Sequence, residues 1–424
     1  MKHPTRSDKK MVGIEVILGI VVGILSVLVY FVFMKGKTGD TEAAKPAVET
    51  KEATPVSKKE EPKSKTAESK GAKKGGKKET THPQCITMFK GHTDNLTCLR
   101  FSTTGKFAGT TSEDRRTIIW DLNKIPPTQS QNLSLELDHG IGVAFSPDDK
   151  YLAVAYARSK EVKIYPVKNA KEGAVSQFKT GHKGQLIGMQ WANNGRFLVT
   201  TSDDAKDNVF VFSSKGQSLG VINPGALETY GSTISPDSRF ISVASMQCDA
   251  KVWEVGDKDG EYKLVGKVME LAGRSGGGGA KGHSSAVHCV DFGGPSPGVL
   301  NGPSNSAATV SKDGTCKVWN IDVRYKFKED PKCVATLPSP DAQPLALCAL
   351  SREANAKWVA CYSRTAGLCF FSLQSSALVS SVPPADCGEV FQMEWCPSAV
   401  AGHAAVLGTA SADGKSRLWV PAPP

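Results

Sequence analysis

Two stretches of this 424-residue chain hold an imidazole, a hydroxyl, a carboxylate and an indole in the same order: His92, Thr110, Asp114 and Trp120, then His283, Thr309, Asp313 and Trp319. A third set, Thr409, Asp413 and Trp419, keeps the Thr-Asp-Trp spacing without the imidazole. His403 follows a glycine but lies only 16 residues before Trp419, too near to take the part of His92. Hydroxyl, imidazole and carboxylate are the components of a nucleophilic relay, in which the carboxylate orients the base that takes the hydroxyl proton. Recurrence argues against that chemistry here. A reaction centre is built once, whereas these sets return with the chain's own repeat, and a buried, satisfied polar network mainly fixes structure. No G-x-S-x-G, H-E-x-x-H or phosphate-binding loop competes, and the glycines at 276–279 lack a following Lys-Ser/Thr. The eleven cysteines are scattered singly, with no Cys-x-x-Cys, which argues against a zinc site. No catalytic residue, cofactor or metal ligand is expected. His182 and His288 read as structural or solvent-exposed.

The elements that must position these groups are short strands. LTCLRF, VAFSPDDKYLAVAYA, GMQWANNGRFLVTTS and TISPDSRFISVAS alternate apolar and polar residues with small-residue turns between them, as half-buried antiparallel strands do. The unit recurs seven times after Gln84. Gly91-His92 opens one copy that Trp120-Asp121 closes, and Gly282-His283 opens another that Trp319 closes. A Gly-His opening and a Trp-Asp close at a period of about 40–45 residues resemble the WD40-repeat family.

That resemblance implies a β-propeller with seven four-stranded blades. It also implies that the His of the opening turn bonds the Thr of the second strand and an Asp, with the Trp of the third strand completing a structural tetrad. Tyr165, Phe212 and Phe371 stand in the Trp place, and Gln247 in the Asp place before Trp253, so those blades are expected to rely on apolar packing. The chain stops five residues after Trp419, too soon for a fourth strand in the seventh blade. The run Cys85-Ile86-Thr87-Met88-Phe89 has no blade of its own and is expected to close the ring on that blade. Residues 274–280 and 293–306 read as surface loops.

Ahead of the propeller, at 84–424, the chain changes character. Residues 1–11 form a short tail. Residues 12–34 read as a transmembrane helix, since Val16 to Met34 carry no charge for 19 residues and no small-x-small cleavage site follows. Gly19 and Gly23 form a G-x-x-x-G that would let two such helices approach closely. Lysine and arginine counts on the two sides tie, so they leave orientation open. The unpaired cysteines favour a cytosolic propeller, which would leave the sequons at Asn95 and Asn132 unglycosylated.

Residues 35–83 contain 13 Lys, 8 acidic residues and no aromatic. Such a stretch buries nothing and reads as a disordered tether with a span of roughly 35–40 Å. Lys73, Lys74, Lys77 and Lys78 could touch anionic lipid, RNA or an acidic protein. The charge itself is lopsided. Residues 1–83 hold 17 Lys/Arg against 10 Asp/Glu, and the remainder 35 against 32, so the propeller is close to neutral and is not marked as a nucleic-acid binder.

Within the WD40 family the layout is similar to a group anchored N-terminally in the endoplasmic-reticulum membrane. The segments that carry this are LELDH followed by VAFSPD, SSKGQSL, SPDSRF followed by KVWEV, KGHSSAVH, and SKDGTCKVWNIDVRYKFKEDP. The likeness fades beyond residue 330, and the short C-terminus departs from it. It implies a non-enzymatic scaffold that binds proteins through propeller rim loops at the reticulum surface, associated with a stress kinase or the translation machinery. Two alternatives remain: a guanine-nucleotide exchange factor of the early secretory pathway, whose known family carries its anchor after the propeller, and an RNA- or ribosome-associating adaptor working through the lysine tether.

Overall fold

The computed structural model describes residues 82–204, 206–258, 261–272, 282–294, 303–352 and 356–422. The proposed helix at 12–34, with Gly19 and Gly23, and the four lysines of the tether lie outside the described residues. Among the described residues, no helix is long and apolar enough to cross a membrane.

Seven four-stranded antiparallel sheets make up the propeller. Within each blade the strands are lettered a to d from the inside outward. Blade one consists of Leu96–Phe101, Phe107–Ser112, Arg116–Asp121 and Thr128–Ser134. The a strands of blades two to seven begin at Gly140, Leu186, Thr229, Val287, Leu347 and Val390. In six of the seven a strands the register with strand b slips by one residue near the start. Such bulges increase local twist where the strands converge on the axis.

Blade seven is completed from the other end of the chain. Cys85–Lys90 pairs antiparallel with Lys415–Trp419, placing Cys85 opposite Trp419 and Lys90 opposite Lys415. Phe89 is buried there, its ring 5.1 Å from that of Trp120 in blade one. Gln84 adds a clasp, donating from its side chain to the Val420 carbonyl and to Ser380 Oγ of blade six, each at 2.9 Å. The expected ring closure is thus present, and it removes the sheet edge that blade seven would otherwise expose.

Blades are also stitched side to side near the axis. Glu394 of blade seven accepts the Phe101 N–H at 3.0 Å and pairs with Arg100 at 3.3 Å. Asp291 of blade five accepts the Leu350 N–H at 2.8 Å and pairs with Arg352 at 3.2 Å. Gln190 of blade three accepts the Ile234 N–H at 2.8 Å. A buried carboxylate costs free energy unless it is paired and hydrogen-bonded, and these carboxylates are both.

Candidate functional site

The sets read from the sequence are assembled largely as expected. In blade one, Trp120 Nε1 donates to Thr110 Oγ1 at 2.8 Å. Thr110 Oγ1 lies 2.8 Å from His92 Nε2, and His92 Nδ1 lies 3.0 Å from Asp114. Blade five repeats this with Trp319–Thr309 at 2.8 Å, Thr309–His283 at 2.7 Å and His283–Asp313 at 3.0 Å. One proton arrangement satisfies each chain: the indole donates to the hydroxyl, the hydroxyl to Nε2, and Nδ1–H to the carboxylate. Gly91 belongs to the same construction, since a Cβ there would meet the Trp120 ring at 3.0 Å.

Burial pushes the His92 and His283 pKa values below the ordinary imidazole value, with the facing carboxylates opposing the shift. Burial raises the carboxyl of Asp313, but the Thr315 hydroxyl, the Ser284 N–H and His283 outweigh it and hold the pKa at about 2. The threonines are fully buried and every ring nitrogen is occupied. The networks therefore lock loop to blade and offer no attacking hydroxyl.

Two blades correct the sequence reading. Blade three, expected to rely on apolar packing, carries a polar network around His182. His182 is buried, with Nε2 2.9 Å from Thr200 Oγ1 and Nδ1 3.3 Å from Asp204. Phe212 does take the Trp place opposite Leu198, so only the indole is missing, and Phe210 packs edge-on against the imidazole at 4.4 Å. The signal was Gly181-His182 itself, followed by Thr200 after the same interval of 18 residues that separates His92 from Thr110. In blade seven, Trp419 donates to Thr409 at 2.9 Å, but Asp413 joins no imidazole. Arg417, which the sequence reading passed over, takes Asp413 at 3.1 Å and Ser411 Oγ at 3.0 Å. His403 sits in a turn bridging to Val400, away from that network.

The remaining blades are held differently. In blade two, Tyr156 and Tyr165 share a 2.6 Å hydroxyl contact, and a shallow pocket of about 420 Å³ opens beside Leu135, Glu136 and Lys163. In blade six, Cys361 faces Cys348 and Cys369 across its strands, and burial drives these thiols up, Cys369 to about 12. They pack as small apolar groups and hold little of the reactive thiolate. Among the described residues, no cluster of His, Cys, Asp and Glu is arranged to hold a metal ion.

With the polar groups turned inward, the apolar surface becomes the candidate site. The upper face carries the d–a and b–c loops and the lower face the a–b and c–d loops. On the upper face the second residue of strand a rings the axis: Ile141, Ile187, Tyr230, His288 and Phe391 in five blades. Ile187, Tyr230 and Phe391 are 37%, 38% and 44% exposed. Leu227, 80% exposed, and Met246, 52% exposed, extend this arc over blade four, where the Met246 N–H bonds the Glu228 carbonyl.

A model of the WD domain, G-beta repeat, matches residues 83–121, 174–210 and 279–320, which contain the His, Thr and Asp of the networks in blades one, three and five. The chain carries WD40 repeats. It is 33% identical to transducin beta-like protein 2 of Homo sapiens over 289 residues, 66% of this chain and 60% of that protein. The Mus musculus protein of that name is 32% identical over 289 residues, 63% of this chain and 61% of its own. Pre-mRNA-processing factor 19 of Oryza sativa subsp. japonica is 26% identical over 190 residues, 45% of this chain and 35% of its own. The chain thus spans about three fifths of the transducin beta-like proteins it matches. WD40 propellers serve in general as non-enzymatic scaffolds that bind protein partners, and this chain has their architecture.

Proposed function

We propose that this chain is a non-enzymatic scaffold, tethered to the endoplasmic-reticulum membrane by residues 12–34, whose propeller faces the cytosol and binds a protein partner through its upper face. The observation that carries the reading is the division of labour in the propeller. Its ionisable networks are spent on locking loops, while Ile187, Leu227, Tyr230 and Met246 stand exposed on one face. An aromatic and aliphatic centre within polar loops is the composition of an interface core. The uncharged stretch from Val16 to Met34 and the likeness to transducin beta-like protein 2 support the tether and the compartment. The stress-kinase or translation-machinery association implied by the family layout enters as the first partner class to test.

A photo-crosslinking residue at position 227 of the full chain, expressed in cells, tests the reading. It should capture a discrete protein that the same residue at position 334, on the outer edge of blade five, does not. Equal products from the two positions would refute a dedicated upper face.

A further inference from the structure

Phe327 is 83% exposed at the tip of the c–d loop of blade five. The loop is held firmly. Tyr325 at its base donates its hydroxyl to Glu254 at 2.8 Å and sets its ring edge-on to Phe240 at 5.6 Å. A single helical turn, Tyr325–Phe327, ends at Lys328 in the left-handed conformation with φ 61°. Glu329 engages Arg324 at 3.2 Å and Lys332 at 3.7 Å, bracing the far side. Lys326 and Lys328, on either side of the ring, are exposed and make no ion pair among the described residues. The loop thus presents one aromatic between two ammonium groups outside any ion pair among the described residues, while Asp322 and Asp330 lie exposed towards its two ends.

The face matters as much as the tip. Strand c of blade five ends at Asn320, just before this loop, as strand c of blade seven ends at Trp419. Cys85 pairs with Trp419, and the Val420 N–H bonds the Gln84 carbonyl. The polypeptide arriving from the N-terminal side therefore joins the propeller at the lower face, the one that carries Phe327. The c–d loop of blade one lies on that face too, with Lys124 exposed and Ile125 43% exposed.

We propose that the lower face is a bilayer-contact surface, with Phe327 seated among the headgroups of an anionic membrane, Lys326 and Lys328 on the surrounding negative charge, and Lys124-Ile125 as a second contact. An aromatic ring suits the interfacial layer, and lysine stems lie along apolar surface while their ammonium groups stay with the headgroups. Anionic lipid complements the unpaired lysines. The inference deepens the tether half of the proposed function, which holds the propeller within reach of the bilayer.

The test uses the full chain reconstituted into phosphatidylcholine vesicles, with and without phosphatidylserine, containing brominated acyl chains. F327W is compared with the parent chain, so that only the added indole is read, and flotation after alkaline carbonate reports the tether separately. The added emission of F327W should be quenched in the anionic vesicles, and the quenching should be lost in F327W/K326E/K328E and in phosphatidylcholine alone. Flotation without excess quenching would overturn the bilayer contact while leaving the tether intact. Failure to float would refute the tether, and anion-dependent quenching in uncarbonated samples would still establish the contact. A crosslinker at position 327 that captures a protein, together with absent quenching, would reassign the tip to a protein partner and overturn the proposal.

Discussion

Arg417 Nη1 lies 3.1 Å from Asp413 in blade seven, so a guanidinium stands where blades one, three and five use an imidazole. The d–a loop that would bring a histidine to blade seven is replaced by the short helix Pro384–Cys387, and Arg417 bonds the Cys387 carbonyl at 3.4 Å. Arg417→Met should destabilise the chain by about 1–3 kcal/mol, less than a fully buried pair because the Asp413 side chain is 36% exposed. Chemical denaturation of R417M, D413N and the double variant checks this, with the double variant recovering part of the loss.

Thr309→Val keeps the shape of a fully buried side chain and removes the hydroxyl joining Trp319 to His283. Leaving the indole N–H and Nε2 without a partner should cost about 1–3 kcal/mol. Differential scanning fluorimetry should place T309V below the parent chain, and T200V, which strands no indole, between them.

Removal of residues 84–90 should yield insoluble chain, because blade seven loses its outer strand and Phe89 leaves the core between blades seven and one. Burial of Phe89 alone is worth about 1.5–3 kcal/mol. The soluble fraction after expression checks this, with Phe89→Ala as the milder comparison that retains the strand.

Acid should weaken the fold in two stages. Burial holds His92, His182 and His283 below the ordinary imidazole value, so the unfolded chain binds protons more readily. Their stabilisation is present above about pH 6.5 and is lost as pH falls below it. Asp313, with a folded pKa of about 2, adds stability present above the unfolded carboxyl value and lost as pH falls from about 4 toward 2. Melting temperature measured across this range should show both declines, and His283→Gln should reduce the first.

The sequence made the ring legible, because Gly-His openings, Trp closings and the orphan run at Cys85 are local features that each report one blade. It also identified the tetrads of blades one and five, where all four residue types are present. The His182 network was less legible, since Phe212 in place of tryptophan removes the indole that marks a complete tetrad. Arg417 was equally hidden, because its role depends on the helix at Pro384–Cys387, which alternation of strands does not foretell. The exposed arc of Ile187, Tyr230 and Leu227 reads in sequence like any apolar strand or loop residue. Only the radial arrangement of blades puts its members on one surface.

The claim that the upper face carries the partner is tested most directly by proximity labelling from the full chain, compared with a Leu227→Asp/Met246→Asp variant of equal melting temperature and membrane fractionation. A small set of labelled proteins should fall several-fold in the variant while reticulum-membrane neighbours persist. An unchanged set would contradict the claim.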